Sequence, residues 1–205
     1  MRLDTAETHR DLDCSTPVRW ALLVALLVIG IGYVLAFLFF LSNSRNFIEE
    51  ARNREALEYS RAHPLTPPAT VVFGAGAEGN HRLGAGWHPP DTGGVWSSTR
   101  NSWLELAIQH PGVDSVLALN VTAPIVPTRE RMKIKLYVNG ELRGSWIRTS
   151  DNATAPFEVQ LPQTVARQDR LDLKLRVDHL VSPMRLGVGP DSRNLGVLLH
   201  SIELR

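Results

Sequence analysis

RLDLKLRVD, residues 170–178, decides the fold. Leu171, Leu173, Leu175 and Val177 alternate with Asp172, Lys174, Arg176 and Asp178. A period of two puts one set on each face of an extended strand, and a strand with one wet face suits an antiparallel sheet. Upstream, MKIKLYV (132–138) repeats the pattern, with Ile134, Leu136 and Val138 on one side and Lys133, Lys135 and Tyr137 on the other. Asn139-Gly140 follows, the pair favoured in a type I′ hairpin because both positions need positive φ. LRGSWIR (142–148) then returns as the partner strand. Further strands are predicted at 71–73, 95–97, 103–108, 115–122, 157–161 and 196–204. Eight or nine short strands with Gly, Pro, Asn and Asp between them predict an all-β, antiparallel β-sandwich of jelly-roll-like form over residues 70–205.

The N-terminal part has a different character. WALLVALLVIGIGYVLAFLFFL, Trp20 to Leu41, carries no charged residue. At ~1.5 Å per residue it reaches ~33 Å, enough for a ~30 Å hydrocarbon core. A cleaved signal peptide has a shorter apolar stretch, so a single transmembrane helix over 19–42 is expected. Arginines flank it on both sides, and their count favours neither orientation. A short head before the span and a large domain after it is the layout of a signal anchor. Residues 1–18 are therefore placed in the cytoplasm and the domain outside the inner membrane, in the periplasm. Gly30 and Gly32 lie mid-span, where small residues let a neighbouring helix approach. Phe37 and Phe40 follow as bulky groups for lipid or a partner. These four are the candidate residues for packing against a membrane partner.

Residues 43–63 hold no Gly or Pro and predict a polar helical stalk. Its narrow apolar stripe is Phe47, Ile48, Ala51 and Leu57. A Pro-rich linker, 64–69, ends the helix at Pro64.

Composition excludes several functions. The net charge of +1 gives no footprint for nucleic acid. The chain has one cysteine, Cys14, so no disulfide within the chain can brace the domain. That thiol precedes the span; it reads as idle, with palmitoylation the alternative. The seven histidines are scattered without metal-ligand spacing. GAGAEG (74–79) matches G-x-G-x-x-G, but no helix pattern follows, so it reads as a flexible loop rather than a dinucleotide site. No serine elbow is present. The expectation is no enzyme, no metal and no cofactor.

The tryptophans remain. GWHPPDTGGVWSSTRNSWLELAI (86–108) holds three of them. Trp96 and Trp103 begin or sit in strands and read as core. Trp87 lies among turn residues, where loop aromatics serve recognition, and stays open between core and ligand. Trp146 becomes an anchor if it points outward. Asp191 and Arg193, two apart in GPDSRNLG, read first as a turn-stabilising pair and second as ligand groups. Trp87, His88, Asp91, Trp146, Asp191 and Arg193 are thus the candidate ligand or docking residues.

Gly86-Trp87, Pro90-Asp91, Gly94 and Trp96, the YVNG hairpin, and Asp191, Arg193, Leu195 and Gly196 near the end together resemble a known pattern. It is that of the carbohydrate-binding-module-like β-sandwich domains appended to bacterial membrane glycosyltransferases and related envelope proteins, over about residues 70–205. The departures are Pro90-Asp91 where that pattern has Pro-Glu, and a single apolar helix where the family has a glycosyltransferase domain. The resemblance implies a jelly-roll fold and leaves function open. Two functions are carried forward. The first is a non-catalytic accessory subunit whose helix packs against a larger integral membrane complex and whose sandwich docks on that complex. The second is a glycan-binding module tethered at the bacterial envelope.

Overall fold

The computed structural model describes residues 16–109 and 115–205. Cys14, His9, His110 and most of the 1–18 head lie outside the described residues. Helix α1 runs Thr16–Ala62. The strands are β1 (Ala69–Val72), β2 (Val95–Trp96), β3 (Asn101–Ala107), β4 (Ser115–Thr122), β5 (Met132–Val138), β6 (Glu141–Arg148), β7 (Phe157–Leu161), β8 (Arg170–Val177) and β9 (Leu198–Leu204), with a short helix α2 (Gln163–Ala166) before β8. Every strand expected from the sequence is present, and β4, β5 and β7 have the expected bounds.

The strands form two antiparallel sheets. One has the order β1-β9-β4-β7 with β2 also on β9; the other is β3-β8-β5-β6. Their inner faces supply the core: Ile134, Leu136, Leu171, Leu173, Leu199 and Ile202 are all buried. The faces read from period two hold on β5 and β8. At the hairpin, Asn139 has φ 51° and Gly140 φ 82°, as a type I′ turn requires.

The compact unit around the sandwich begins at Asn46, so the last turns of α1 belong to it. The helix meets this unit through a face other than that of Phe47, Ile48 and Ala51. Phe47, Ile48 and Ala51 are exposed, while Ala56 and Ser60 are buried. The contact face runs Asn53, Ala56, Ser60, at three- and four-residue steps. It is built of small and polar groups, so an apolar stripe could not mark it. The linker is also held: Leu65 donates its N–H to Ala107 O at 2.8 Å and accepts one from Gln109 at 2.7 Å.

The earlier part of α1, up to Arg45, belongs to a separate unit. It provides a helix long and apolar enough to cross a membrane, with mean hydropathy 2.9 and none of it buried. Phe37 and Phe40 are exposed, and a side chain at Gly30 or Gly32 would meet nothing within 4 Å.

Candidate functional site

The Trp87 segment is shaped by its glycines. Gly86 has φ 91°, and a Cβ there would run into the Asn101 carbonyl. Ser98 donates its N–H to Gly86 O at 2.7 Å, and Ser102 Oγ donates to the same oxygen at 2.8 Å. On the upstream side, Gly84 and Ala85 pair with the backbone of Trp103 at 3.0 and 2.9 Å. This turn drives Trp87 inward. It is 5 % exposed, joins the core, and its indole Nε1–H donates to Trp103 O at 2.6 Å. Trp96 and Trp103 reverse the expectation: both are half-buried and lie outside the core cluster. The inner face of β3 is set by Leu104 and Leu106, and alternation puts Trp103 on the other face.

Helix α1 closes over this segment. Asn53 Oδ1 accepts the Ala85 N–H at 2.8 Å, and Ser60 Oγ donates to Glu105 O at 2.7 Å. Between them lies a cleft of about 370 Å³, with Arg52, Glu55 and Tyr59 on the helix side and His81, Trp87 and His88 opposite. Tyr59 stacks on His63 with centroids 4.4 Å apart and lies 4.8 Å from His81. The buried Arg82 sits 5.5 Å from the Tyr59 ring and donates to His63 O at 2.6 Å. Burial pulls the Arg82 guanidinium below its ordinary range. GAGAEG is not a loose loop. Residues 78–82 form a 3-10 turn, and Asn80 ties it down, accepting the Gly74 N–H at 3.2 Å and donating to Gly74 O at 2.6 Å.

Four of the expected site residues meet beside this cleft. His88 Nε2 donates to Asn194 O at 2.9 Å. Arg193 Nη2 reaches Asp191 at 2.8 Å and Asp91 at 3.0 Å, joining loops a hundred residues apart. Asp191 also accepts the Arg193 backbone N–H at 2.9 Å, the turn-stabilising role read from the sequence. Hydrogen bonds from Arg193 hold the Asp191 carboxyl below its usual range, and the two carboxylates push the guanidinium upward. These charges satisfy one another.

Trp146 is elsewhere and faces inward. It pairs across the β5–β6 ladder with Ile134, so both share the core face. Its ring stacks on Phe157 of the other sheet at 4.3 Å, and Arg148 sits 4.0 Å over the same ring. An outward anchor at Trp146 is therefore corrected to a bridge between the sheets.

Sequence reasoning missed Tyr59, Glu55 and Arg52, because a charged helix carries no mark of what packs on it. It also missed Glu105, which is 3 % exposed on β3 and meets Arg170 Nε and Nη2, each at 2.9 Å. Burial raises the Glu105 carboxyl, and the bonds from Arg170 offset part of that. Among the described residues, no three His, Cys, Asp or Glu converge as a metal site.

No family model matches the chain, and no curated protein does. Solved structures similar to it include a carbohydrate-binding module, CBM36, in complex with calcium and xylotriose: TM-score 0.34, 12% identity, over 67% of this chain and 88% of that one. A CBM36-1 domain of a multidomain xylanase from the hindgut metagenome of Trinervitermes trinervoides aligns with TM-score 0.37 and 13% identity, over 67% and 95%. The C-terminal domain of EclA, a sugar-binding protein, aligns with TM-score 0.35 and 11% identity, over 50% and 64%. Likeness at these scores carries neither a fold assignment nor a ligand.

Proposed function

We propose that the chain is a non-catalytic glycan-binding module held at a bacterial inner membrane by α1, with the sandwich on the periplasmic side. The cleft over Trp87 carries this reading. It joins two aromatic residues, Tyr59 and Trp87, to the polar heads of Arg52, Glu55, His81 and His88 in one concave space. Aromatic surface flanked by a few directed polar groups is the chemistry that takes a pyranose ring. Tyr59 supplies the ring wall; Arg52 and Glu55 supply a donor fork and an acceptor for hydroxyls. The Arg193–Asp191–Asp91 cluster fixes the loop that carries His88 and is a positioning element.

The accessory-subunit function rests on Gly30, Gly32, Phe37 and Phe40 being open in a single chain, which suits lipid equally well. Glycan binding is favoured because it uses groups brought together from distant parts of the sequence.

The test is a glycan array probed with the full chain in phosphatidylcholine nanodiscs, beside the Arg52→Ala/Glu55→Ala variant. Both positions are exposed, so the variant is expected to keep the melting temperature and lose the bound glycans. An array with no retained glycan, or unchanged retention by the variant, would reject the proposal.

A further inference from the structure

The chain has three lysines, Lys133, Lys135 and Lys174, among 22 basic residues. All three lie on β5 and β8, on the side of these strands opposite Ile134, Leu136, Leu173 and Leu175. Register sharpens the convergence. Lys135 pairs directly with Arg176 across the β5–β8 ladder, and Arg176 pairs on its other side with Asn101, next to Arg100. Like charges directly opposite one another destabilise a sheet. Here the strain is not relieved inside the protein. Among the described residues, none of Arg100, Lys133, Lys135 and Arg176 forms an ion pair. Arg143, Arg170, Arg193 and Arg205 are the arginines with carboxylate partners among the described residues; what sets this groove apart is that four cations share one small space.

The four cations line one groove of about 300 Å³, whose only other lining residues are Val177 and Asp178. Asp178 is directed to His179 Nδ1 at 2.8 Å. Lys174, one alternation further along β8, rests 4.5 Å from the Tyr137 ring and extends the basic face.

We propose that this groove is a binding site for a phosphate-bearing group. Four cationic heads around one small space suit a compact, multiply charged oxyanion better than carboxylates spaced along a polymer. Arg100 and Arg176 offer forks for paired oxygen contacts, and the lysines add point charge. The site lies on a different face from the Trp87 cleft and does not depend on the glycan reading.

The experiment is calorimetric titration of pyrophosphate into the full chain in phosphatidylcholine nanodiscs. Saturable binding is expected, with affinity falling about tenfold in each of Lys135→Gln and Arg176→Gln. Both residues are on the wet face, and Lys135→Gln should melt at or above the wild-type temperature because it removes a like-charge pair. Arg52→Ala/Glu55→Ala should bind pyrophosphate as the wild type does. No binding, binding unchanged in both groove variants, or tighter binding of polygalacturonate than of pyrophosphate would overturn the proposal. Repeating the titration in phosphatidylglycerol nanodiscs assigns the source. Weaker pyrophosphate binding there, lost in Lys135→Gln, supports the site and makes a lipid headgroup its occupant; undiminished binding supports it with a soluble phosphate ester.

Discussion

One sheet, β3-β8-β5-β6, presents its polar residues in two contrasting settings. At β3, Glu105 is buried on the face opposite Leu104 and Leu106 and clamped by Arg170. Along β5 and β8, Lys133 and Arg176 are exposed, and neither they nor Lys135 has an acidic partner among the described residues. The alternation in sequence is the same on all these strands. It separates the core face from the other face, and it cannot say whether that other face meets water or a second layer of protein. At β3 it meets protein: the 83–87 segment and the last turns of α1. A polar group there is a structural commitment that must be fully bonded. Lys133, Lys135 and Arg176 carry no such commitment among the described residues and are open to a ligand.

The largest test of this contrast compares Trp87→Ala with Lys135→Gln. Removing a buried tryptophan from the β3 end should cost ~3–5 kcal/mol, read by denaturant titration. Lys135→Gln should cost nothing or stabilise. If Trp87→Ala cost under about 1 kcal/mol, as for an ordinary surface change, the covered setting would be wrong.

Two positions on the same face of β8 sharpen it. Arg170→Ala strands a buried carboxylate and should cost about 3 kcal/mol. Lys174→Ala loses a cation over the Tyr137 ring at a half-open site and should cost about 0.5–1 kcal/mol. Equal losses would mean that Glu105 is not held by Arg170 alone. At the helix, Ser60→Ala removes the donor to Glu105 O and should cost about 1 kcal/mol. A loss of that size would tie α1 energetically to β3; no loss at all would leave the helix as a passive neighbour.

β5 and β8 were legible because each one alternates, and the β5–β6 hairpin because Asn139-Gly140 is a turn with a single reading. The membrane-competent helix was legible from Trp20–Leu41. The site was legible only in part. Asp191 bonding its own neighbour's N–H follows from two-residue spacing, but Arg193 reaching Asp91 across a hundred residues does not. Trp87 looked like a loop aromatic because its neighbours are turn formers. What the sequence could not convey is that Gly84 and Gly86 turn that segment into the core. The helix face Asn53-Ala56-Ser60 was hidden for a related reason: its contacts are hydrogen bonds and close approach, which hydropathy does not register.

The smallest effect sets two carboxylates against each other by pH. Arg193 depresses Asp191 in the folded protein. Its contribution is therefore present above the unfolded value, about 3.9, and is lost as pH falls through the lower folded value. Burial raises Glu105. Its contribution has the opposite sign: it is present below the unfolded value, about 4.3, and is lost as pH rises through the folded one. Denaturant midpoints measured downward in pH from about 3.9 follow the first window, and those measured upward from about 4.3 follow the second. Asp191→Asn should flatten the acid fall in stability, since a group that binds protons mainly in the unfolded chain has been removed. Glu105→Gln should steepen it, since a group that binds them more readily in the folded chain has been removed. A change of the same sign in both variants would mean that the covered end of the sheet and its solvent-facing loops do not differ in how they hold charge.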